Sequence, residues 1–236
     1  MAYDTWQKLT EFAKAWGKPD LVSFICAEAK VALSPAKTGP MALYRTVNYM
    51  PGPLQTQNYV RALCLGTGMP SDWIQRNVWL RMARQSLLYR DRTPQKFLVD
   101  EAALINWPGR FSEVVRPQLS YALQELHADS KEDNLLDFRV VPNAHATALP
   151  RTIYDDTFSL MCTDTETTGF VECLRQSIKG GNNGQQGDGE DWNQGDIELV
   201  GADMIPFLEH SWREIGNMAL SRPDSMGLIQ AKMREL

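Results

Sequence analysis

Near the start of the chain Trp6, Leu9, Phe12, Ala13 and Trp16 recur every three or four positions, the spacing that gives an α-helix one apolar stripe. Gly17-Lys18-Pro19 ends that run. The next, "DLVSFICAEAKVAL" over residues 20–33, predicts a second helix, capped by Asp20 and closed by Ser34-Pro35. "MALYRTVNYMPG" switches to extended chain running into a turn. Helical spacing returns over residues 54–65 and again over 71–89. The longer run has Ser71 or Asp72 as N-cap and Trp73, Val78, Leu80, Leu87 and Leu88 as its apolar positions.

Beyond "DRTP" the pattern shortens. "QKFLVDEAAL" predicts a short strand followed by a helical turn. "RFSEVVRPQLSYALQELHADS" predicts a helix, with Pro117 in its first turn or at a kink. "DFRVVPN", "TFSLMCTD" and "GFVECL" are β-rich runs separated by turns, the last two suited to an antiparallel pair. Residues 203–220 and 221–236 read as two closing helices, with Pro223 in the first turn of the second. The expected fold class is α+β: N-terminal helices, a small and mostly antiparallel sheet within residues 96–200, and a C-terminal helical pair. A chain of 236 residues suits one domain over 1–236.

One segment breaks the pattern. "KGGNNGQQGDGEDWNQGD", residues 179–196, holds six Gly and four acidic residues around a single aromatic, Trp192. It has too little apolar surface to offset its ordering entropy. It reads either as a loose hairpin insertion or as a partner-binding loop anchored by Trp192.

Composition narrows the function classes. The net charge is −5, which disfavours broad contact with nucleic-acid phosphates. No run approaches the length of a membrane span, and the start of the chain is polar and amphipathic, unlike a signal peptide. Cys26, Cys64, Cys162 and Cys173 form no CxxC pair and stand at no metal-ligand spacing from a histidine, so no metal site is expected. Free thiols fit a reducing, cytoplasmic location. "GQQGDG" lacks the strand-to-helix setting of a dinucleotide loop, and no GxxxxGK[ST], HExxH or GxSxG occurs. No cofactor is expected.

The remaining chemistry rests on scattered polar residues. His145 lies in a loop after the strand "FRVV", where function often sits, and histidine is the simplest general base near neutral pH. His127 reads as exposed, and His210 lies within a helix. Asp100 and Glu101 point to opposite faces of a strand, so one faces inward and needs a cation, which the long helix offers in Arg76, Arg81, Arg84 and Arg90. Arg81 and Arg84 share a helix face. Two readings stay open: a buried ion pair tying helix to strand, or a carboxylate and guanidinium lining a polar pocket. Glu172 in "GFVECL" carries the same ambiguity. In "YMPGPLQTQNYVRAL", Gln55 and Thr56 are placed to bond the first N–H groups of a helix, and Tyr59 follows one turn after Gln55.

Taken in order, these segments carry a family resemblance. "MPGPLQTQNYVRAL" resembles the PGLLQTxxYARAL hallmark of an actinobacterial domain of unknown function that follows an XRE-type helix-turn-helix in Streptomyces-like regulators. "RMARQSLL" is similar to the family's RxxRQxxL, "LVDEAAL" to VxDEAAL, "VVRPQLSYALQEL" to MxxQLxxL and "FRVVPNAHA" to VxVLP. "DDTFSLM" and "GFVECL" resemble its FxL and VYVE strands, "ALSRPDSMGLI" its ALSxxESxxLI, and "FICAEAKVA" its EAxA helix. The departures are Pro53 for the hallmark Leu, Ile105 for the usual Arg, and the insertion at 179–196. About 20 residues precede the EAxA helix, so the resemblance implies a domain without its DNA reader.

What the resemblance implies is a cytoplasmic subunit that binds no DNA itself and holds a protein partner, a small-molecule ligand or both. The expected setting is a two-protein natural-product biosynthetic enzyme, small-ring formation among the candidates. If catalytic, it would be so as part of a heteromeric cyclase- or lyase-type complex. The ligand- or partner-binding candidates are Gln55, Tyr59, Arg81, Arg84, Glu101, Glu172 and Trp192; Glu101 and His145 are the catalytic ones. The other readings are an enzyme in its own right, with a polar pocket around Glu101, Arg81 and His145, and a decoy that dimerises with full-length regulators.

Overall fold

The computed structural model describes residues 2–34, 39, 41–66, 68–105, 112–131, 135–146, 157–173 and 196–236. Two helices open the chain, α1 (Ala2–Ala15) and α2 (Pro19–Ala32), followed by strand β1 (Met41–Thr46) and a 3-10 turn (Gly52–Leu54). Then come α3 (Gln57–Gly66), α4 (Ser71–Arg90), β2 (Gln95–Asp100), the short α5 (Ala102–Ile105), α6 (Ser112–Lys131) and β3 (Leu136–Val141). The remainder is the short α7 (Asn143–Ala146), β4 (Thr157–Cys162), β5 (Thr167–Cys173), β6 (Asp196–Leu199), α8 (Ile205–Met218) and α9 (Arg222–Glu235).

The class is α+β. The six strands form one mixed sheet in the order β3-β2-β1-β4-β5-β6. β1 pairs in parallel with β2, and β2 with β3; the other three pairings are antiparallel. The sheet reaches further toward the N-terminus than residues 96–200, because "MALYRT" is a central strand rather than a lead-in to a turn. Parallel neighbours need long crossovers, and α3–α4 and α5–α6 supply them.

Both faces of the sheet are covered. Ala42, Tyr44, Phe97, Val99, Phe138, Val140, Met161 and Phe170 pack with α2, α3, α6 and α9 in the larger core. Leu43, Leu98, Val141, Phe158 and Leu160 pack against Leu208 and Ile215 of α8. Burial on both sides explains why β1 shows no polar alternation. Gly169 permits the close approach of α8: a Cβ there would come within 2.7 Å of Ile205 and Val200 side-chain atoms.

Three local expectations are corrected. Pro19 begins α2 instead of only ending α1; it occupies the first turn, where its missing N–H costs nothing, and Asp20 follows it inside the helix. At α4 the N-cap position is Pro70, not Ser71 or Asp72. Pro117 lies within α6, beyond its first turn. The C-terminal hallmark has a plain structural role. Ser221 caps α9 by accepting the Asp224 N–H, and Ser225 Oγ accepts the Val140 N–H at 2.8 Å, which ties α9 to β3.

Candidate functional site

The turn from Met50 to Thr56 organises the site. Two of its residues are prolines without N–H groups, and its carbonyls need donors. Side-chain amides provide them. Gln55, fully buried, donates from Nε2 to the Met50 carbonyl, and its Oε1 accepts from Arg81 Nη1 at 2.7 Å. Gln118 of α6 donates to the Leu54 carbonyl at 2.6 Å and accepts the Thr56 N–H at 2.7 Å. Gln85 of α4 donates to the Pro53 carbonyl. Tyr59 Oη accepts the Met50 N–H at 2.8 Å. Tyr59 and Gln55 therefore brace the turn from behind.

Arg81, Arg84 and Gln85 share one face of α4 because Arg84 and Gln85 follow Arg81 by three and four positions. Arg84 does not reach Asp100 or Glu101. It makes a two-pronged pair with Glu28 of α2, Nε to Oε2 and Nη2 to Oε1, both 2.7 Å. Tyr44 Oη donates to the same Glu28 oxygen at 2.9 Å. The guanidinium carbon lies 4.5 Å from the Phe24 ring centroid. Burial opposes the Arg84 charge, but Glu28 outweighs it and raises the Arg84 pKa. The Tyr44 pKa rises well above its ordinary value, first through burial and then through the Glu28 charge.

Beside this closed cluster lies a small cleft between the sheet and the Pro-Gly-Pro turn. It encloses about 50 Å³, room for a few water-sized groups. Arg81, Tyr49, Thr46 and Glu172 line it, with Phe24 and Phe170 as apolar walls. The Tyr49 hydroxyl and the Thr46 Oγ1 are both buried and have no hydrogen-bond partner of good geometry. Tyr49 is only 9% exposed. Its pKa is raised well above normal by burial, then by the neighbouring Glu172 carboxylate, so the group stays a neutral hydroxyl. Glu172, from β5, has no cation within ion-pair distance among the described residues. Buried polar groups are ordinarily paired, so a guest in this cleft would find unfilled bonds from two hydroxyls.

The structure thus brings Arg81, Arg84 and Glu172 to the cleft and puts Gln55 and Tyr59 behind it. Glu101 is elsewhere: its carboxylate accepts the Asn143 N–H at 3.1 Å and lies 3.6 Å from Lys232 Nζ. The inward carboxylate of the pair is Asp100, and its cation is Arg45 of the adjacent strand at 2.6 Å, not an arginine of the long helix. His127 and His210 are exposed. The side chain of His145, and Trp192, lie outside the described residues. Among the described residues no cluster of His, Cys, Asp or Glu could hold a metal.

Sequence reasoning passed over Glu28, Thr46 and Tyr49. A signal existed for Glu28, which follows Phe24 and precedes Val31 on the buried stripe of α2; a carboxylate on an apolar face demands a partner. Thr46 shares a strand face with Tyr44 by period-two alternation. Tyr49 carried no comparable local signal.

The pattern of one known family, Domain of unknown function (DUF5753), matches residues 45–178. The chain belongs to this family. No curated protein and no solved structure matches it. The DUF5753 match begins at Arg45 and so takes in the bracing turn, the Arg81-Arg84-Gln85 face, Gln118 and Glu172. Glu28, which closes the Arg84 cluster, lies before the matched span. Within the matched span the Gln55, Gln85 and Gln118 amides form a hydrogen-bonded frame around the turn, and Arg81, Arg84 and Glu172 line the cleft beside it.

Proposed function

We propose that this DUF5753 chain is a binding subunit that holds a small molecule, or a small group presented by a partner protein, in the cleft beneath the Pro-Gly-Pro turn. The single observation that carries this reading is the contrast within the cleft. Arg84, Glu28 and Tyr44 are bonded at short range, whereas the buried Tyr49 and Thr46 hydroxyls make no well-formed hydrogen bond, Tyr49 only lying near Glu172 and Thr157, and Glu172 has no cation within ion-pair distance among the described residues. A net charge of −5 supports action without direct DNA contact. No helix among the described residues is long and apolar enough to cross a membrane. A cytoplasmic place in a two-protein natural-product biosynthetic assembly, small-ring formation included, is carried forward from the family resemblance.

A stand-alone enzyme around Glu101 and Arg81 is the weaker reading, because Glu101 faces Lys232 and not the cleft. The test is a thermal-shift screen of polar metabolites on wild type and on Ser159→Leu, which fills the cleft from β4. Ligands acting there raise the melting temperature of wild type and leave that of the variant unchanged. Equal shifts in both proteins would refute the cleft as the binding site.

A further inference from the structure

The electrostatics of the cleft specify more than polarity. Arg84 and Glu28 cancel each other at 2.7 Å. Arg84 also lines the cleft and feels Glu172 at longer range, but its short bonds go to Glu28; Arg81 and Glu172 are the lining charges outside that pair. These two do not close on one another: no ion pair joins them, although both face the same small space. Arg81 has one nitrogen, Nη1, fixed by Gln55 Oε1, which aims the guanidinium while leaving further N–H donors. Gln55 is itself anchored on the Met50 carbonyl, so the orientation of Arg81 is set by a rigid turn. Both side chains are half-buried, and opposite charges held apart across one small cleft favour a guest carrying the reverse dipole.

Resting on the binding reading above, we infer that the cleft recognises a small zwitterion, an ammonium and a carboxylate on one short carbon frame, as in a free α-amino acid. The carboxylate takes the remaining Arg81 donors in charge-assisted bonds. The ammonium sits against Glu172. The two orphan hydroxyls complete the set: Thr46 Oγ1 and Tyr49 Oη each donate to a carboxylate oxygen or accept from an ammonium N–H. Phe24 and Phe170 contact the carbon frame. A single anion leaves Glu172 repelling it. A single cation leaves Arg81 unanswered. A guest with both charges answers both walls at once, and Arg84, held by two bonds to Glu28, offers no free fork to compete.

The experiment is calorimetric titration of the intact chain with the twenty common L-amino acids, alongside acetate, methylamine and acetamide as half-ligands. At least one amino acid binds, acetate and methylamine bind at least tenfold more weakly, and acetamide does not substitute. Glu172→Gln and Arg81→Gln each weaken the amino acid at least tenfold. Binding is compared at a temperature where circular dichroism shows Glu172→Gln and wild type equally folded, because Glu172 also interacts with Tyr49 and, at longer range, with Arg84. The inference is overturned if acetate, methylamine or acetamide binds as tightly as any amino acid, or if Glu172→Gln binds unchanged. It is overturned alone, with the cleft reading intact, if no amino acid binds but another metabolite shifts wild type and not Ser159→Leu. Both fall if no compound distinguishes those two proteins.

Discussion

Two buried arrangements of arginine and carboxylate sit on opposite faces of one sheet, and they are built differently. Under α8, Arg45 and Asp100 meet at 2.6 Å, and Arg45 Nη1 also donates to the Thr46 carbonyl at 2.7 Å. Under the Pro-Gly-Pro turn, Arg84 is closed on Glu28, but Arg81 and Glu172 stay apart with two orphan hydroxyls between the same walls. A closed pair is architecture: each charge offsets part of the other's desolvation, so removing either one leaves the other buried and uncompensated. An open set repays nothing until something else arrives. The difference separates residues that hold this fold from residues that give it something to do.

Breaking a closed pair has the largest effect. Glu28→Ala strands the Arg84 guanidinium in the core and lowers unfolding free energy by about 3–5 kcal/mol, as does Asp100→Ala on the other face, both read by urea denaturation. Next comes the frame around the turn. Gln118→Ala leaves the Leu54 carbonyl and the Thr56 N–H without their partner and costs about 1–3 kcal/mol. The open set behaves oppositely. Tyr49→Phe removes a buried hydroxyl that makes no well-formed hydrogen bond, only a looser contact with Glu172 and Thr157, so stability holds to within about 1 kcal/mol, while binding in the cleft weakens. A loss of stability in Tyr49→Phe would erase the contrast between open and closed.

Alkaline titration sharpens the same comparison. Tyr44 and Tyr49 have folded pKa values well above 10, and Tyr121, held up by burial and then Glu125, reaches about 12. The unfolded chain gives up these protons near pH 10, before the folded one does. The stability they contribute is full below that pH and is lost as pH rises toward the folded values. Phenolate absorbance should show Tyr121 titrating near 12, and Tyr44 and Tyr49 only on unfolding. The smallest effect belongs to the surface. Lys30 and Glu166 meet at 2.7 Å but are 60% and 50% exposed, so Lys30→Ala changes stability by about 0–1 kcal/mol, a baseline for the buried pairs.

Much of this was legible along the chain. The helical stripes of α1, α4 and α8, the short strands β4 and β5 and the break at Ser221–Ser225 follow from periodicity and turn chemistry, and the order of the hallmarks pointed to the family. The candidate site was half legible. Arg81, Arg84 and Glu172 stood out as charges within patterned segments. Their partners did not, because Glu28 precedes Arg84 by 56 positions and Asp100 chose Arg45 over the long helix. Nothing within a few residues of Asp100 records that β1 is its neighbour in the sheet.

The sequence by itself determined the elements, because helix and strand spacing, proline placement and capping act over a few residues. It also fixed the list of charges that had to be paired or exposed. Only the tertiary structure decided which strands run parallel, which arginine meets which carboxylate, and that Tyr49, Thr46, Arg81 and Glu172 share one space. Those outcomes depend on contacts between segments tens of residues apart, where many pairings satisfy the local rules and only packing of the whole core selects one.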